Sequence, residues 1–367
     1  MHLFAQMAVF VYFCSMYKIR FMPYRDGLAT IMHRQTPHHN LRSQDGRYEF
    51  ILDDSAEEAD FWVVQGKGVR DIQTCHVAPQ NTILLTTEPY SVLAYPKVYT
   101  DQFGLVVSCQ QQMQRSNVTY GPAILPWFVG YKPDGHGGYT FSEDYDSLNR
   151  PLNPADKSKL ISVICSNKAF TRGHFDRIRF VEKLKLHFGD KIDVFGRGFR
   201  SFDDKMDVLR PYKYHIAIEN SSEPYYWTEK ISDCYLGGTF PIYHGCTNLS
   251  DYFSTDAFEP IDIRKPELAI ATIERVITQQ RYEQSLKTLE QMKQRVLGEY
   301  NMFDYAARLC DQLNPDAPKQ PVSIKPCHSG SDWHNLINYT FRFNYYKFLT
   351  KCHYWKNGQI LSSKPAF

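Results

Sequence analysis

Short apolar, β-branched runs alternate along the chain with polar stretches bearing Gly and Pro. This is the pattern of an α/β protein whose parallel strands are buried on both faces. The clearest series of elements lies between Tyr212 and Phe253. Tyr214 to Ile218 is apolar and reads as a buried strand. Glu219 to Tyr226 holds the polar and Pro residues of a loop. Thr228 is an N-cap for a helix over Glu229 to Leu236, Gly237-Gly238 ends it, and Thr239 to Tyr243 is the next strand. The resulting β-loop-α-β unit puts its loop at the carboxyl end of a strand, where open α/β sheets bind ligands.

The same reading gives a first part with strands over Lys18 to Tyr24, Tyr48 to Leu52, Phe61 to Val64, Thr82 to Thr87 and Leu105 to Ser108. The aromatic and Pro-rich stretch Tyr120 to Tyr131 ends it, as interdomain packing or the lining of an acceptor groove. Asp134 to Asn149 is Gly- and Asp-rich and reads as a lid or linker. Its Asp144-Tyr145-Asp146 follows a glycine-rich loop rather than a strand, so it reads as a solvated turn and not as a metal-diphosphate site. A second part opens near Pro151 with a strand over Leu160 to Cys165 and a basic helix over Phe175 to Phe188. A further strand, Ile192 to Phe195, ends in Gly196-Arg197-Gly198, where glycine lets backbone approach a phosphate. Asp262 to Leu297 and Asn301 to Leu313 read as helical. The expected division is 1–150, 151–315 and a basic aromatic segment, 316–367.

Composition narrows the class. Of 367 residues 43% are hydrophobic and 22% charged, which suits a folded chain. A net charge of +2 argues against a nucleic-acid binder that works by bulk electrostatics. Nine cysteines, without CxxC or zinc-like spacing, read as reduced thiols of a cytosolic protein. Met1 to Tyr17 is apolar but shorter than the roughly 20 residues of a membrane span. It also lacks a basic n-region. The expectation is a cytoplasmic protein, peripheral on the inner face of a membrane. From Trp333 onward there is no Asp or Glu, and Arg342, Lys347, Lys351, Lys356 and Lys364 alternate with aromatics. That composition suits an interfacial membrane segment and equally a helix packing its rings on the body of the protein.

The loop at Thr228 carries the candidate chemistry. A helix N-terminus offers free N–H groups to a phosphate, and Lys230 adds a full positive charge. Glu229 suits ribose hydroxyls, Tyr226 offers a ring face and a hydroxyl, and Glu219 and Asn220 add polar groups at the strand end. An isolated Glu-Lys pair is ordinarily a solvated surface feature; here it stands among other polar groups at a strand–helix junction. Glu88, directly after the strand Thr82 to Thr87, is a carboxylate on the ligand side of its sheet, or else a turn residue before Pro89.

These motifs resemble glycosyltransferase family 10, the α-1,3/4-fucosyltransferases, in its bacterial form. The family signature is (Phe/Ile)-Glu-Asn-Ser, Tyr-x-Thr-Glu-Lys, a short helix, then (Val/Ile)-Pro-(Val/Ile) before a Gly. The chain has Ile218-Glu219-Asn220-Ser221, Tyr226-Trp227-Thr228-Glu229-Lys230 and Phe240-Pro241-Ile242-Tyr243-His244-Gly245. The resemblance covers roughly Thr82 to Asp262 and is strongest at its end. It implies a GT-B fold, two facing Rossmann-like domains with the acceptor on the first and a GDP-sugar on the second. Thr87-Glu88-Pro89 falls where the family has its general base, and Arg177 matches its helical arginine. Arg197 or Arg200 is implied as the diphosphate arginine. The implied reaction is inverting transfer of L-fucose from GDP-β-L-fucose to a glycan hydroxyl. The expected acceptor is N-acetylglucosamine in an N-acetyllactosamine or lipopolysaccharide-type chain, linked α1,3 or α1,4, with no metal or cofactor required. The alternatives are a transferase using another nucleotide sugar and a non-catalytic binder on the same scaffold.

Overall fold

The computed structural model describes residues 16–23 and 29–356, apart from 54, 69, 114, 168, 170 and 328–332. Most of the apolar stretch Met1 to Tyr17 lies outside these residues. So do residues 357–367 and the side chains of residues 333–339, 342, 343 and 354–356.

The first part carries β1 (Tyr17–Met22), β2 (Tyr48–Ile51), β3 (Phe61–Gln65), β4 (Gln73–Val77), β5 (Thr82–Leu85), β6 (Leu105–Ser108) and β7 (Val118–Tyr120). A small hairpin, β8 (Tyr131–Pro133) and β9 (Tyr139–Phe141), follows. The second part carries β10 (Lys159–Ile164), β11 (Ile192–Phe195), β12 (Tyr212–Ile218), β13 (Phe240–His244) and β14 (Glu259–Pro260), and β15 (Gln320–Ile324) lies near the end. Six strands form a parallel sheet in the order β2-β1-β3-β5-β6-β7, and five form a second parallel sheet in the order β11-β10-β12-β13-β14. Every residue of β3, β5 and β13 is buried. Their mainly apolar sequences suit strands covered on both faces. Each sheet has the doubly wound order in which connections leave the first-formed strand in opposite directions. Each therefore has a switch-point crevice at its carboxyl ends. The architecture is that of two Rossmann-like domains with their carboxyl-end loops in mutual contact, the GT-B arrangement.

The helix Arg172–Phe188 starts at Thr171, whose side chain accepts from the backbone N–H of His174, and stops at Gly189, φ 55°. It buries Ile178, Val181 and Leu184 against the second sheet. The segment between the domains is held from both sides. Arg34 is almost wholly buried and donates to the carbonyls of Trp127 (2.6 Å) and Glu143 (2.9 Å). Asp204 accepts from Gly130 N–H (2.8 Å) and from the Ser142 hydroxyl (2.6 Å). Asp144, the first residue of the Asp-x-Asp, caps the turn Tyr145–Leu148 and bonds His39 at 2.8 Å.

The chain returns to the first domain earlier than a boundary at 315 implies. In the helix Met302–Cys310, Phe303 packs 4.7 Å from Phe50 and 5.5 Å from Phe21. Arg47 grips Asp311 through two bonds of 2.6 and 2.9 Å, and β15 pairs antiparallel with β4. One hydrophobic core therefore runs through both domains. The final helix, Trp333–Lys356, lies on the helix Arg172–Phe188, with His353 against Phe175 and hydrogen-bonded to Glu182. Its Phe341, Tyr345 and Phe348, spaced four and three apart, face outward at 73%, 50% and 62% exposure. Among the described residues no helix is long and apolar enough to cross a membrane.

Candidate active site between the two domains

The second sheet's switch point lies between β10 and β12, and the loops that follow these strands meet there. Gly173, in the first turn of the helix Arg172–Phe188, lies so near the loop after β12 that a Cβ would sit 1.9 Å from the Asn220 carbonyl oxygen. Gly245 is similarly required, since a Cβ there would meet Glu219 Cγ at 2.5 Å. Arg177, one turn into the helix, is buried and donates to Asn220 Oδ1 at 2.8 Å and to the Ser166 hydroxyl at 3.4 Å. Its Nε is buried without a hydrogen-bond partner.

Around the helix Glu229–Leu236 the polar residues lock into a network. Glu219 is wholly enclosed; it accepts from Thr228 N–H (2.9 Å) and from the Thr228 hydroxyl (2.8 Å). Its other oxygen lies 2.9 Å from Lys230 Nζ. Glu219 is thus a support that aims the cap and the lysine, and its oxygens are engaged within the protein. Lys230 also donates to the Thr228 hydroxyl at 3.0 Å and lies 3.5 Å from Glu229. Burial works against its charge, but Glu219 and Glu229 outweigh that and hold the ammonium's pKa above its ordinary value. Burial disfavours the Glu229 carboxylate too, yet Lys230 and Lys205 bring its pKa below the ordinary range, so it stays ionised.

Lys205 carries no local signal that would select it as a site residue. It donates to Asp233 at 2.7 Å and reaches Glu229 at 3.9 Å, while Asp233 accepts from Phe128 N–H at 3.1 Å. The interdomain segment is thereby tied to the first turns of the helix Glu229–Leu236. No motif marks this network, because its members come from three separate segments.

The loops after β10 and β11 lie back to back. Gly196 has φ 116°, and a Cβ there would come within 2.2 Å of the Cys165 carbonyl oxygen. Arg197 follows, its carbonyl accepting from Asn167 N–H at 3.0 Å and its side chain exposed, without a hydrogen bond or ion pair among the described residues. Arg200 turns elsewhere. It lies over the Phe195 ring and 3.7 Å from Asp193 on edge strand β11, and it is 63% exposed.

Tyr226 is where the domains meet. It is buried against Cys109 and Ala123 of the first domain, so it presents no free ring face. Burial, followed by the nearby carboxylates Glu219 and Glu88, pushes its phenol pKa far up. Glu88 follows β5 and is partly buried, and its carbonyl accepts from Gln110 Nε2 at 2.8 Å. Its carbonyl also accepts from the Cys109 thiol at 3.5 Å, and Cys109 packs on Tyr226 of the second domain. A separate cavity of about 450 Å³ opens at the carboxyl ends of β1 and β2, lined by Asp53, Arg70, Asp71 and Gln73 among others. None of the residues picked out in the sequence lines it. Among the described residues no group of three His, Cys, Asp or Glu side chains is placed to hold a metal ion. A buried arginine, a partly buried lysine, a helix N-terminus and a carboxylate at the domain contact can bind a diphosphate and accept a proton beside it.

The chain is similar to known proteins in its second part. The family model described as glycosyltransferase family 10 (fucosyltransferase) C-term matches residues 154–320. The chain is 32% identical over 117 residues to 4-galactosyl-N-acetylglucosaminide 3-alpha-L-fucosyltransferase FUT6 of Pongo pygmaeus, covering 30% of this chain and 31% of that protein. It is 31% identical over 117 residues to 3-galactosyl-N-acetylglucosaminide 4-alpha-L-fucosyltransferase FUT3 of Homo sapiens, with 30% and 31% covered. The match spans about a third of the length of these relatives. A crystal structure of an alpha1,3-fucosyltransferase with GDP is similar at 16% identity and a TM-score of 0.45, over 77% of this chain and 90% of that one. Residues 154–320 match the C-terminal domain of glycosyltransferase family 10 (fucosyltransferase), and the chain is similar to that family through this part.

Proposed function

We propose that the chain is an inverting fucosyltransferase, moving L-fucose from GDP-β-L-fucose to a glycan hydroxyl, with N-acetylglucosamine of an N-acetyllactosamine or lipopolysaccharide-type chain as acceptor. The observation that carries the reading is the convergence of Arg177 and Lys230 on the switch-point loops, with Glu88 on the facing edge of the first domain. The relatives' printed activities give the reading its sugar and its α1,3 or α1,4 linkage.

In this mechanism the GDP diphosphate lies against the first turns of the helices Arg172–Phe188 and Glu229–Leu236. Lys230, Arg177 and the exposed Arg197 neutralise the charge that grows on the leaving group. Glu229, kept ionised by its two lysines, accepts from ribose hydroxyls. The β-linked donor and α-linked product require a single displacement, with the acceptor hydroxyl attacking opposite the diphosphate. Glu88 takes that hydroxyl's proton as the bond forms. The protein cations supply the charge stabilisation, so the reading uses no metal. The outward stripe of Phe341, Tyr345 and Phe348, flanked by Lys347 and Lys351, supports peripheral contact with an anionic membrane surface and a cytoplasmic location.

Incubation with GDP-fucose and N-acetyllactosamine tests the reading, with calorimetry of GDP, UDP and dTDP alongside. Transfer that Glu88→Gln slows by about 10²- to 10⁴-fold, at unchanged GDP affinity, is the expected result. Equal affinity for all three nucleotides points to a different donor. Neither transfer nor donor hydrolysis means a binding protein.

A further inference from the structure

We infer that Glu223 and the stacked pair Tyr120–Tyr225 form the recognition site for a neutral glycan acceptor beside Glu88. The inference rests on the transfer reading above for the identity of the molecule recognised; the site itself is read from the structure. Glu223 lies in the spacer between Glu-Asn-Ser and Tyr-x-Thr-Glu-Lys, outside both motifs.

Three observations converge. The first is a carboxylate that Ser221 and Gln112 bond but leave half satisfied. Glu223 is partly exposed, yet its Oε1 is buried without a hydrogen-bond partner. A desolvated carboxylate oxygen with no donor is costly, and a hydroxyl from a bound molecule removes the cost. The second is an aromatic platform. The rings of Tyr120, at the end of β7, and Tyr225, in the loop after β12, stack across the domain contact at 5.8 Å and 21°. Tyr120 is 39% exposed and its hydroxyl is anchored on the Gln111 carbonyl at 3.3 Å. Tyr225 is held at φ 65°, a conformation unfavourable for a residue with a side chain, and its N–H donates to Asn248 Oδ1 at 2.8 Å. A rigid pair of rings with a partly open face suits the C–H face of a sugar.

The third is position. Cys109 lies within electrostatic reach of both Glu88 and Glu223, and its thiol donates to the Glu88 carbonyl at 3.5 Å. Gln110 binds the Glu88 carbonyl, and Gln112 lies beside Glu223. Glu223 and Tyr225 therefore lie on the loop whose Tyr226 packs on Cys109, the residue that bonds the carbonyl of the proposed base. A hydroxyl-rich neutral molecule suits these groups. An acidic one is repelled by two carboxylates.

Steady-state kinetics and saturation-transfer difference NMR on the full chain, with N-acetyllactosamine and its sialylated form as probes, test the inference. Glu223→Gln and Tyr120→Ala are each expected to raise the acceptor KM by about tenfold. GDP affinity, melting temperature and acceptor-free hydrolysis of GDP-fucose should stay unchanged, and sialylated acceptor should bind more weakly than neutral. An unchanged acceptor KM, or a loss of GDP affinity in parallel, overturns it. Should the wild type neither transfer nor hydrolyse fucose, the transfer reading fails and the NMR decides the site alone. N-acetyllactosamine signals that Glu223→Gln abolishes uphold it, and their absence in the wild type sinks it.

Discussion

Lys230 Nζ lies 2.9 Å from Oε2 of Glu219, a carboxylate whose side chain is completely enclosed. The two residues come from opposite ends of the loop after β12, so this contact fixes the loop's shape as well as the lysine's aim. Removing one partner of a buried ion pair leaves the other uncompensated, at about 3–5 kcal/mol. Lys230→Ala should therefore lose stability of that order in urea denaturation and lose GDP binding in calorimetry. Adding Glu219→Gln should restore most of the stability while GDP binding stays lost. A double variant that regains both would show the lysine to be structural only.

Arg197 and Arg200 sit three residues apart and are separated by what they touch. Arg200 is occupied on the sheet edge by Asp193 and the Phe195 ring, whereas Arg197 stands at the carboxyl end of β11 beside Asn167. Arg197→Ala should weaken GDP binding by about tenfold, the order expected for one charge-assisted contact. Arg200→Ala should leave it within about twofold, as for a surface change away from the site. Calorimetric titration of both variants with GDP decides, and the reverse order of effects would move the diphosphate to the edge strand.

Much of this arrangement is legible in the sequence because its signals are local. β12, the cap Thr228 and the helix Glu229–Leu236 follow from an apolar run, a capping residue and a glycine pair. β4 and β15 escape such a reading, since each is a short polar-bearing run paired with a strand about 250 residues away. The return of Phe303 to Phe21 and Phe50 is long-range packing that no periodicity encodes. Glu219 shows the same limit within the site. Its presence at a strand end marks ligand chemistry, but only the fold reveals that Thr228 and Lys230 occupy its oxygens. Tyr226 reads as an offered ring and is found enclosed between domains, because Cys109 and Ala123 arrive from the other sheet.

The Lys205–Asp233 pair, 2.7 Å apart and nearly enclosed, couples the interdomain segment to the donor helix. Burial opposes the ammonium, but Asp233 and Glu229 outweigh it and hold Lys205 above its ordinary pKa. Lys205→Met should cost about 3–5 kcal/mol by stranding Asp233, and Lys205→Met with Asp233→Leu should recover much of it. Because Lys205 also faces Glu229, the double variant should keep its fold yet bind GDP more weakly. Chemical denaturation and calorimetry of the three proteins check this; additive losses of stability would show that the two side chains do not act as a pair.

Acid should act on the stability of the protein through His215 as the pH falls below the imidazole's ordinary range. This residue is buried in β12, bonded at 2.8 Å to the Ser162 hydroxyl. Burial, then the positive charge of Lys205, lowers its pKa from 6.5 to about 3. Between those values the unfolded chain binds a proton that the folded chain refuses, so stability rises with pH across the window. The contribution is complete above pH 6.5 and is lost progressively as pH falls toward 3, at about 1.4 kcal/mol per pH unit. His244 is shifted in the same direction by burial and adds to the slope. Asp233 and Asp304, raised by burial to about 6, bind protons in the folded chain over part of the same window and oppose this slope, so the share of His215 is read from the difference between wild type and variant in urea denaturation at several pH values. His215→Asn, which keeps a polar partner for Ser162 without a titrating ring, should reduce the slope between pH 4 and 6 by about one proton. An unchanged slope in that variant would mean that the imidazole is protonated in the folded chain, and that β12 accommodates a charge at its centre.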